Sequence, residues 1–158
     1  MGQVAIRPAT AADTGDIRQL LRQHGLPLEG LEPHLESALV AADGTTVVGC
    51  AALEVYDRAA LLRSVAVEPG RKGEGIGRAL TAAALAMARS RGASRVYLLT
   101  TTAEGFFPRF GFERVDRDQV PDDVRRSVEF VSACPASAAV MRVDLDWPDA
   151  EAEPAGVG

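Results

Sequence analysis

The chain has 158 residues, is 47% hydrophobic and carries a formal net charge of −5. That length and apolar content suit one domain with a full core. The acidic balance, with arginines scattered along the chain, argues against a nucleic-acid binder, which needs a basic face. No apolar run approaches a membrane span, and the N-terminus lacks a charged-then-apolar signal segment, so a cytoplasmic protein without a membrane partner is expected. Two cysteines, Cys50 and Cys134, lie far apart, and with two histidines they have no ligand spacing, so no metal site is predicted. Reduced thiols are expected, and a single disulfide stays open.

In chain order, Val4 to Arg7 reads as a first strand closed by Pro8. Thr10 and Asp13 form an N-cap signature, followed by a helix with Ile17, Leu20 and Leu21 on one face and an end near Gly25. A shorter helix is predicted from Leu28 to Ser37. His24 and His34 fall here and read as surface or packing residues. Leu39 to Ala42, the Asp43-Gly44 turn and Thr46 to Tyr56 form a hairpin. Asp57 to Ala60 turns the chain again, and Leu61 to Val67 returns as a strand. After a glycine-rich turn, a helix runs through Met87 and Arg89 to Gly92. Arg95 to Thr101 is a strand, Ala103 to Phe110 a short helix closed by Gly111, and Phe112 to Val115 a strand. A helix over Val120 to Ala133 and a strand over Ser137 to Leu145 complete a domain of residues 1–146. The Pro, Ala, Gly and acidic tail, 147–158, is expected to be disordered. This order predicts a mixed α/β sheet, mostly antiparallel.

The chain is organised around Val65-Ala66-Val67-Glu68-Pro69-Gly70-Arg71-Lys72-Gly73-Glu74-Gly75-Ile76-Gly77-Arg78-Ala79. A strand feeding a glycine-rich turn and then a helix presents unsatisfied N–H groups and the positive end of the helix dipole, which suits a phosphate or pyrophosphate. The spacing fits neither the dinucleotide fingerprint nor the P-loop. It resembles the acetyl-CoA turn of the GNAT acetyltransferase superfamily, written Q/R-x-x-G-x-G/A. Gly75-Ile76-Gly77 fits its second half, while Lys72 departs from its first position. The resemblance covers about residues 4–145. It implies the GNAT fold, a mixed sheet flanked by helices. It also implies acetyl-CoA as co-substrate, held by Val65, Ala66, Val67, Lys72, Gly73, Glu74, Gly75, Ile76, Gly77 and Arg78.

Leu99 to Phe112 looks like the amino-acid acetyltransferases related to N-acetylglutamate synthase. Leu53-Glu54-Val55-Tyr56, Leu61-Leu62-Arg63-Ser64 and Cys134-Pro135-Ala136-Ser137-Ala138 together resemble the arsenic-resistance N-acetyltransferase branch. Expected partners are therefore a small-molecule amine and, as the family allows, a second copy in a homodimer. The same resemblance places Phe107 where many members carry a thiolate-protonating tyrosine. Leu61 stands at the position of a glutamate base, and Thr100 replaces a common asparagine. Proton transfer is left to water, backbone or another carboxylate. Glu104 is one such carboxylate, and its alternative is a solvated residue in the first turn of a helix.

Two residues carry more information. Arg63 lies at period two with Leu61, Val65 and Val67 and so shares an apolar face, where a guanidinium needs an anionic partner. With Tyr56 opposite Leu61, the register puts Glu54 opposite Arg63. Either the pair is a cross-strand ion pair serving the sheet, or Arg63 holds an acceptor carboxylate with Glu54 near its ammonium. Thr101 and Thr102 could add hydroxyl donors. Cys50 or Cys134 could serve a covalent route, or be inert buried thiols. The expected activity is acetyl transfer to a small amino acid or similar amine, with an arsenic-containing glutamate analogue as the branch's acceptor. Glutamate itself, a non-catalytic acetyl-CoA-binding module and a thiolate arsenic binder are the alternatives.

Overall fold

The computed structural model describes residues 4–101, 103–127 and 138–145. Among the described residues seven strands form one mixed sheet: β1 (Val4–Pro8), β2 (Ala38–Asp43), β3 (Thr46–Tyr56), β4 (Ala59–Val67), β5 (Arg95–Thr100), β6 (Glu113–Val115) and β7 (Ala139–Asp144). Their order across the sheet is β1-β2-β3-β4-β5-β7-β6. Only β4 and β5 run parallel, because the long helix α2 (Ile76–Ser90) carries the chain between them. Helix α1 (Thr14–Gln23) and the single turn α3 (Asp122–Arg125) are the other α-helical elements among the described residues. The helix expected over Val120 to Ala133 is thus shorter at its start, with Val120 and Pro121 extended, and its helical turn ends before Arg126 and Ser127. Residues 128–133 lie outside the described residues, as do Thr102, Cys134 and the tail.

The two faces of the sheet are covered differently. On one, Ile76, Leu80, Ala84 and Ala88 of α2 pack against Ala51, Leu53, Leu62 and Leu98. Small alanines on the buried stripe let the helix lie close, and Gly49 of β3 allows its first turn closer still. A Cβ there would sit 2.9 Å from Leu80 Cδ1 and 3.1 Å from Ile76 Cγ2. On the other face, Ile17, Leu20 and Leu21 of α1 cover Val40, Cys50, Ala52 and Ala66. Beside them, Val120 and Val124 cover Leu61, Tyr97 and Val140.

Three expectations are corrected. The segment before β2 is not an α-helix but a 3-10 turn over Glu32–Ser37, entered through Pro33, whose ring removes a donor that a longer helix needs. The segment before Gly111 is likewise a 3-10 turn, Phe107–Phe110, with Pro108 inside it. The β3–β4 hairpin turns on two residues, Asp57 and Arg58, with Asp57 at φ 53°. That tight turn pairs Tyr56 with Ala59 and Glu54 with Leu61, leaving Arg63 opposite Ala52. Glu54 and Arg63 are therefore diagonal neighbours on one face, not direct partners.

A further correction positions the site. β4 carries one extra residue relative to β3. Cys50 pairs with Ala66 and Ala52 with Arg63, so the single residue Ala51 faces two, Ser64 and Val65. Ser64 takes φ 61°, the left-handed backbone of a β-bulge. The bulge reverses the alternation. Leu61, Arg63 and Ala66 face α1 and α3, whereas Val65 and Val67 pack toward α2.

At the N-terminal end, the carboxylate of Asp13 accepts from the Thr10 N–H (2.7 Å) and hydroxyl (3.2 Å) and from both terminal nitrogens of Arg7 (2.8 and 3.0 Å). The Arg7 guanidinium, helped by the Thr10 donors and opposed by burial, lowers Asp13 to a pKa of about 2. Its stabilisation is therefore complete above the ordinary carboxylate range near 4 and is lost as pH falls through about 2. Asp13→Ala should lower stability by about 1 kcal/mol at neutral pH, from the lost cap. Urea titrations of both proteins should converge as pH drops from about 4 toward 2.

Candidate active site

β4 and β5 pair only as far as Leu62 and Leu98. Beyond that point both strands continue, β4 to Val67 and β5 to Thr100, with no rungs between them. The bulge at Ser64 begins where pairing stops, and the kink and added twist of a bulge account for the parting. The Glu68 N–H donates to Val48 O at 2.8 Å, which fixes the ladder phase. Ala66, paired with Cys50, then turns its backbone polar groups toward β3, and Val65 and Val67 turn theirs into the gap. That gap is an open strand edge inside the molecule, with main-chain donors and acceptors available to an extended ligand.

The edge leads directly into the glycine-rich turn. A 3-10 turn over Pro69–Arg71 is followed by Gly73 at φ 89° and Gly75 at φ 83°, conformations that side chains rarely adopt. Gly75 is the N-cap of α2, and the Ala79 N–H makes the first intrahelical bond, to Gly75 O at 3.0 Å. The N–H groups of Ile76, Gly77 and Arg78 precede that bond and stand at the positive end of the dipole. Lys72 and Arg78 are exposed, and neither makes an ion pair among the described residues. Glu74 would repel an anion here, but Arg71 grips its carboxylate from Nε at 2.9 and 3.0 Å while also reaching Asp43 at 3.1 Å. Gly77 brings the helix start close to the end of β4, its position for a Cβ lying 3.6 Å from Val67 Cγ2.

On the α1 side of β4 lies a buried polar cluster. Arg63 Nη1 donates to Glu54 Oε2 at 2.7 Å, with side chains 0% and 1% exposed. The other nitrogens of Arg63 also meet protein acceptors: Nε bonds Ser64 Oγ at 3.1 Å, and Nη2 bonds the carbonyls of Glu29 (2.8 Å) and Pro27 (3.3 Å). The guanidinium thus joins three parts of the chain: β3, the bulge, and the loop after α1. Tyr56 donates its hydroxyl to Glu54 Oε1, and burial together with that bond raises the phenol's pKa. The His34 ring stands edge-on to Tyr56 and 3.9 Å from Glu54 Oε1. Burial lowers its pKa, so it sits there neutral at physiological pH. Thr101, at the end of β5, is exposed.

The other positions that the resemblance singles out are placed as follows. Phe107 is buried in an edge-to-face aromatic cluster with Phe106 and Phe112. Leu61 is fully buried, and the Thr100 hydroxyl accepts from the Ala103 N–H at 2.9 Å. Glu104 is exposed and paired with Arg114 at 2.9 Å. Cys50 donates its thiol to Ser64 O at 3.2 Å and so braces the bulge, and burial pushes its pKa up to about 12. Among the described residues no group of three or more possible ligands could hold a metal, and no helix is long and apolar enough to cross a membrane.

Sequence reasoning missed three participants: the bulge at Ser64, Tyr56 as the donor to Glu54, and His24. The His24 ring Nε2 lies 2.7 Å from Val67 O, inside the gap. Ser64 offered one signal, a lone small polar residue within an apolar strand.

A groove of about 780 Å³ between the C-terminal half of α2 and β7, lined by Leu85, Arg89 and Arg142, lies at the far end of α2 from the glycine turn. A family profile described as an acetyltransferase (GNAT) domain matches residues 34–114, which include the bulge, the open edge and the turn. An uncharacterized N-acetyltransferase of Chlorobaculum tepidum is 30% identical over 89% of this chain and 93% of its own length. The amino-acid acetyltransferase of Escherichia coli K12 is 30% identical over 77% of this chain, which spans only 29% of that protein. Among solved structures, N-acetylglutamate synthase from Neisseria gonorrhoeae, complexed with coenzyme A and N-acetyl-glutamate, superposes with a TM-score of 0.78 at 26% identity. It is matched over 92% of this chain and 36% of that one. Rv2747 from Mycobacterium tuberculosis, in complex with CoA and NLQ, gives 0.77 at 28% identity over 89% of this chain and 99% of that one. With the profile spanning its central strands and a full-length relative at this identity, the chain belongs to the GNAT acetyltransferase family.

Proposed function

We propose that this protein transfers the acetyl group of acetyl-CoA to the amine of a small amino acid or amino-acid-like acceptor. The observation that carries the reading is the continuity of the open β4 edge with the amide-rich turn at the start of α2. An extended arm with amide groups lies along Val65, Ala66 and Val67. Its phosphates meet the N–H groups of Gly75, Ile76, Gly77 and Arg78, the flexible backbone at Gly73, and the cations of Lys72 and Arg78. Glu74 stays turned toward Arg71. The acceptor class is supported by the relatives named as amino-acid acetyltransferases.

The chemistry follows from the groups present. The neutral amine attacks the thioester carbonyl, a C–N bond forms and the C–S bond breaks. The outward N–H of Val65 stabilises the developing oxyanion. The amine's proton leaves to water, and the thiolate takes one from water, since Phe107 and Leu61 have no proton to exchange. Holding both reactants in one cleft supplies much of the remaining acceleration. The same two apolar residues favour a second reading, a non-catalytic acetyl-CoA-binding module.

Within the acetyltransferase reading, an arsenic-containing glutamate analogue is the acceptor we favour and glutamate the alternative. Thiol release from acetyl-CoA, followed with glutamate and its arsenic- and phosphorus-containing analogues, is the test. Turnover with an analogue and little with glutamate is expected. Equal turnover would move the assignment to glutamate, and none with any amine would leave the binding module.

The turn itself is tested by Gly75→Glu. The substitution forces a side chain onto a backbone at φ 83° and puts a second acid beside the phosphates. Calorimetric CoA binding should fall at least tenfold, a loss of about 1.4 kcal/mol or more. Unchanged binding would remove the turn from the site.

We assign Arg63 and Glu54 to the acceptor side, where the pair shapes the wall by holding Pro27 and Glu29 against β4. Arg63→Met should destabilise by about 3–5 kcal/mol, because it leaves the Glu54 carboxylate buried and unpaired. Arg63→Met with Glu54→Leu should regain most of that stability. Recovered folding with a raised acceptor KM fits a wall. Recovered folding without turnover fits direct recognition of the acceptor carboxylate by Arg63, and full activity would exclude both roles.

A further inference from the structure

The contact between His24 and Val67 is not explained by the packing of α1. Ile17, Leu20 and Leu21 already bury that helix at 2%, 3% and 0% exposure. His24 stands one residue beyond α1, half-buried, and its ring reaches across to a carbonyl on the open edge of β4. A carbonyl can only accept, so Nε2 carries the hydrogen, whichever charge state the ring has. The Val67 carbonyl is also one of the few acceptors that the open edge offers to an extended ligand, because the backbone of Ala66 is spent on β3.

The segment that follows is held at both ends. Gly25 at φ 64° and Gly30 at φ 75° bound it, and it is fastened farther along by Arg63 through the carbonyls of Pro27 and Glu29. His24 therefore sits between two anchors, its helix on one side and its loop on the other. Rotating the ring away costs one hydrogen bond and disturbs neither anchor.

We propose that His24 is a latch on the acyl-donor cleft: in the free protein its ring N–H occupies the Val67 carbonyl, and an amide N–H of the acetyl-CoA arm displaces it on binding. The inference rests on the acetyl-CoA reading given above. Loading the cleft exchanges one donor for another at the same oxygen, so the latch lowers donor affinity by the worth of the bond it gives up.

The test is calorimetry with two ligands, coenzyme A and adenosine 3′,5′-bisphosphate, which lacks the amide-bearing arm. His24→Phe keeps a ring but has no donor, whereas His24→Gln restores an amide N–H. His24→Phe should tighten coenzyme A about fivefold, the worth of one net hydrogen bond, and leave the bisphosphate unchanged. His24→Gln should lie nearer the wild type. Equal changes for both ligands, no change, or weaker coenzyme A binding in His24→Phe would overturn the latch. Failure of the wild type to bind coenzyme A would overturn the acetyl-CoA reading and the latch with it. Wild-type binding without a His24 effect overturns the latch alone. Should the phenyl ring prevent folding, His24→Leu serves the same comparison, and the ratio of the two ligands cancels any global loss.

Discussion

The structure depends on one residue too many in β4. A left-handed residue other than glycine costs on the order of 1–3 kcal/mol, and Ser64 is held there from three sides. Its hydroxyl accepts from Arg63, its carbonyl accepts from the Cys50 thiol, and the ladder re-forms at once at Ala66. Everything characteristic of the site follows from that fixed irregularity. The strand parts from β5, Val65 and Val67 swap faces, and their main-chain groups are left facing a gap.

The buried charges belong to the same device. Sealing a guanidinium and a carboxylate away from water is expensive, and a hydrophobic pair of similar volume often does as well for stability alone. What the ion pair adds is geometry. Arg63 has donors pointing in several fixed directions, and they land on Glu54, Ser64, Pro27 and Glu29. A leucine could fill the space but could not tie the loop after α1 to the bulge. The Tyr56 hydroxyl and the neutral His34 ring complete the carboxylate's surroundings without adding charge. This side of β4 is consequently rigid, while the opposite edge stays open for a ligand.

Much of this was legible in the sequence, and what was not has a common cause. The strand, turn and helix at Val65 to Ala79 are written locally, in apolar alternation, glycine spacing and an alanine-rich run, so their positions followed directly. The Glu54–Arg63 pair was legible because a charge at period two with leucines must find a partner on its own face. Its register was not, because two-residue and four-residue turns at Asp57 differ by local torsions that composition does not encode. The bulge was hidden for a similar reason: alternation assumes two residues per repeat, and Val65 and Val67 look like continuations of Leu61 and Arg63. The 3-10 turns at Glu32–Ser37 and Phe107–Phe110 show proline overriding a helical spacing of apolar residues. His24 could not be read at all, since its partner is a carbonyl more than forty positions away.

The apolar residues at positions 61 and 107 fit this architecture. An acid or base side chain at Leu61 or Phe107 would have to be desolvated, because both positions are sealed by packing. A carboxylate at Leu61 would also lie directly across the ladder from Glu54, and two carboxylates at that distance cannot both stay ionised without a second cation. Having placed its carboxylate on β3 and committed it to Arg63, the chain leaves β4 apolar at the corresponding rung. In the reaction we propose, orientation and the fixed main-chain dipoles at the bulge carry catalysis, and water carries the protons. The acceptor best suited to that arrangement is an amine that loses its proton readily, or one whose other groups the wall can grip firmly enough to hold it against the thioester.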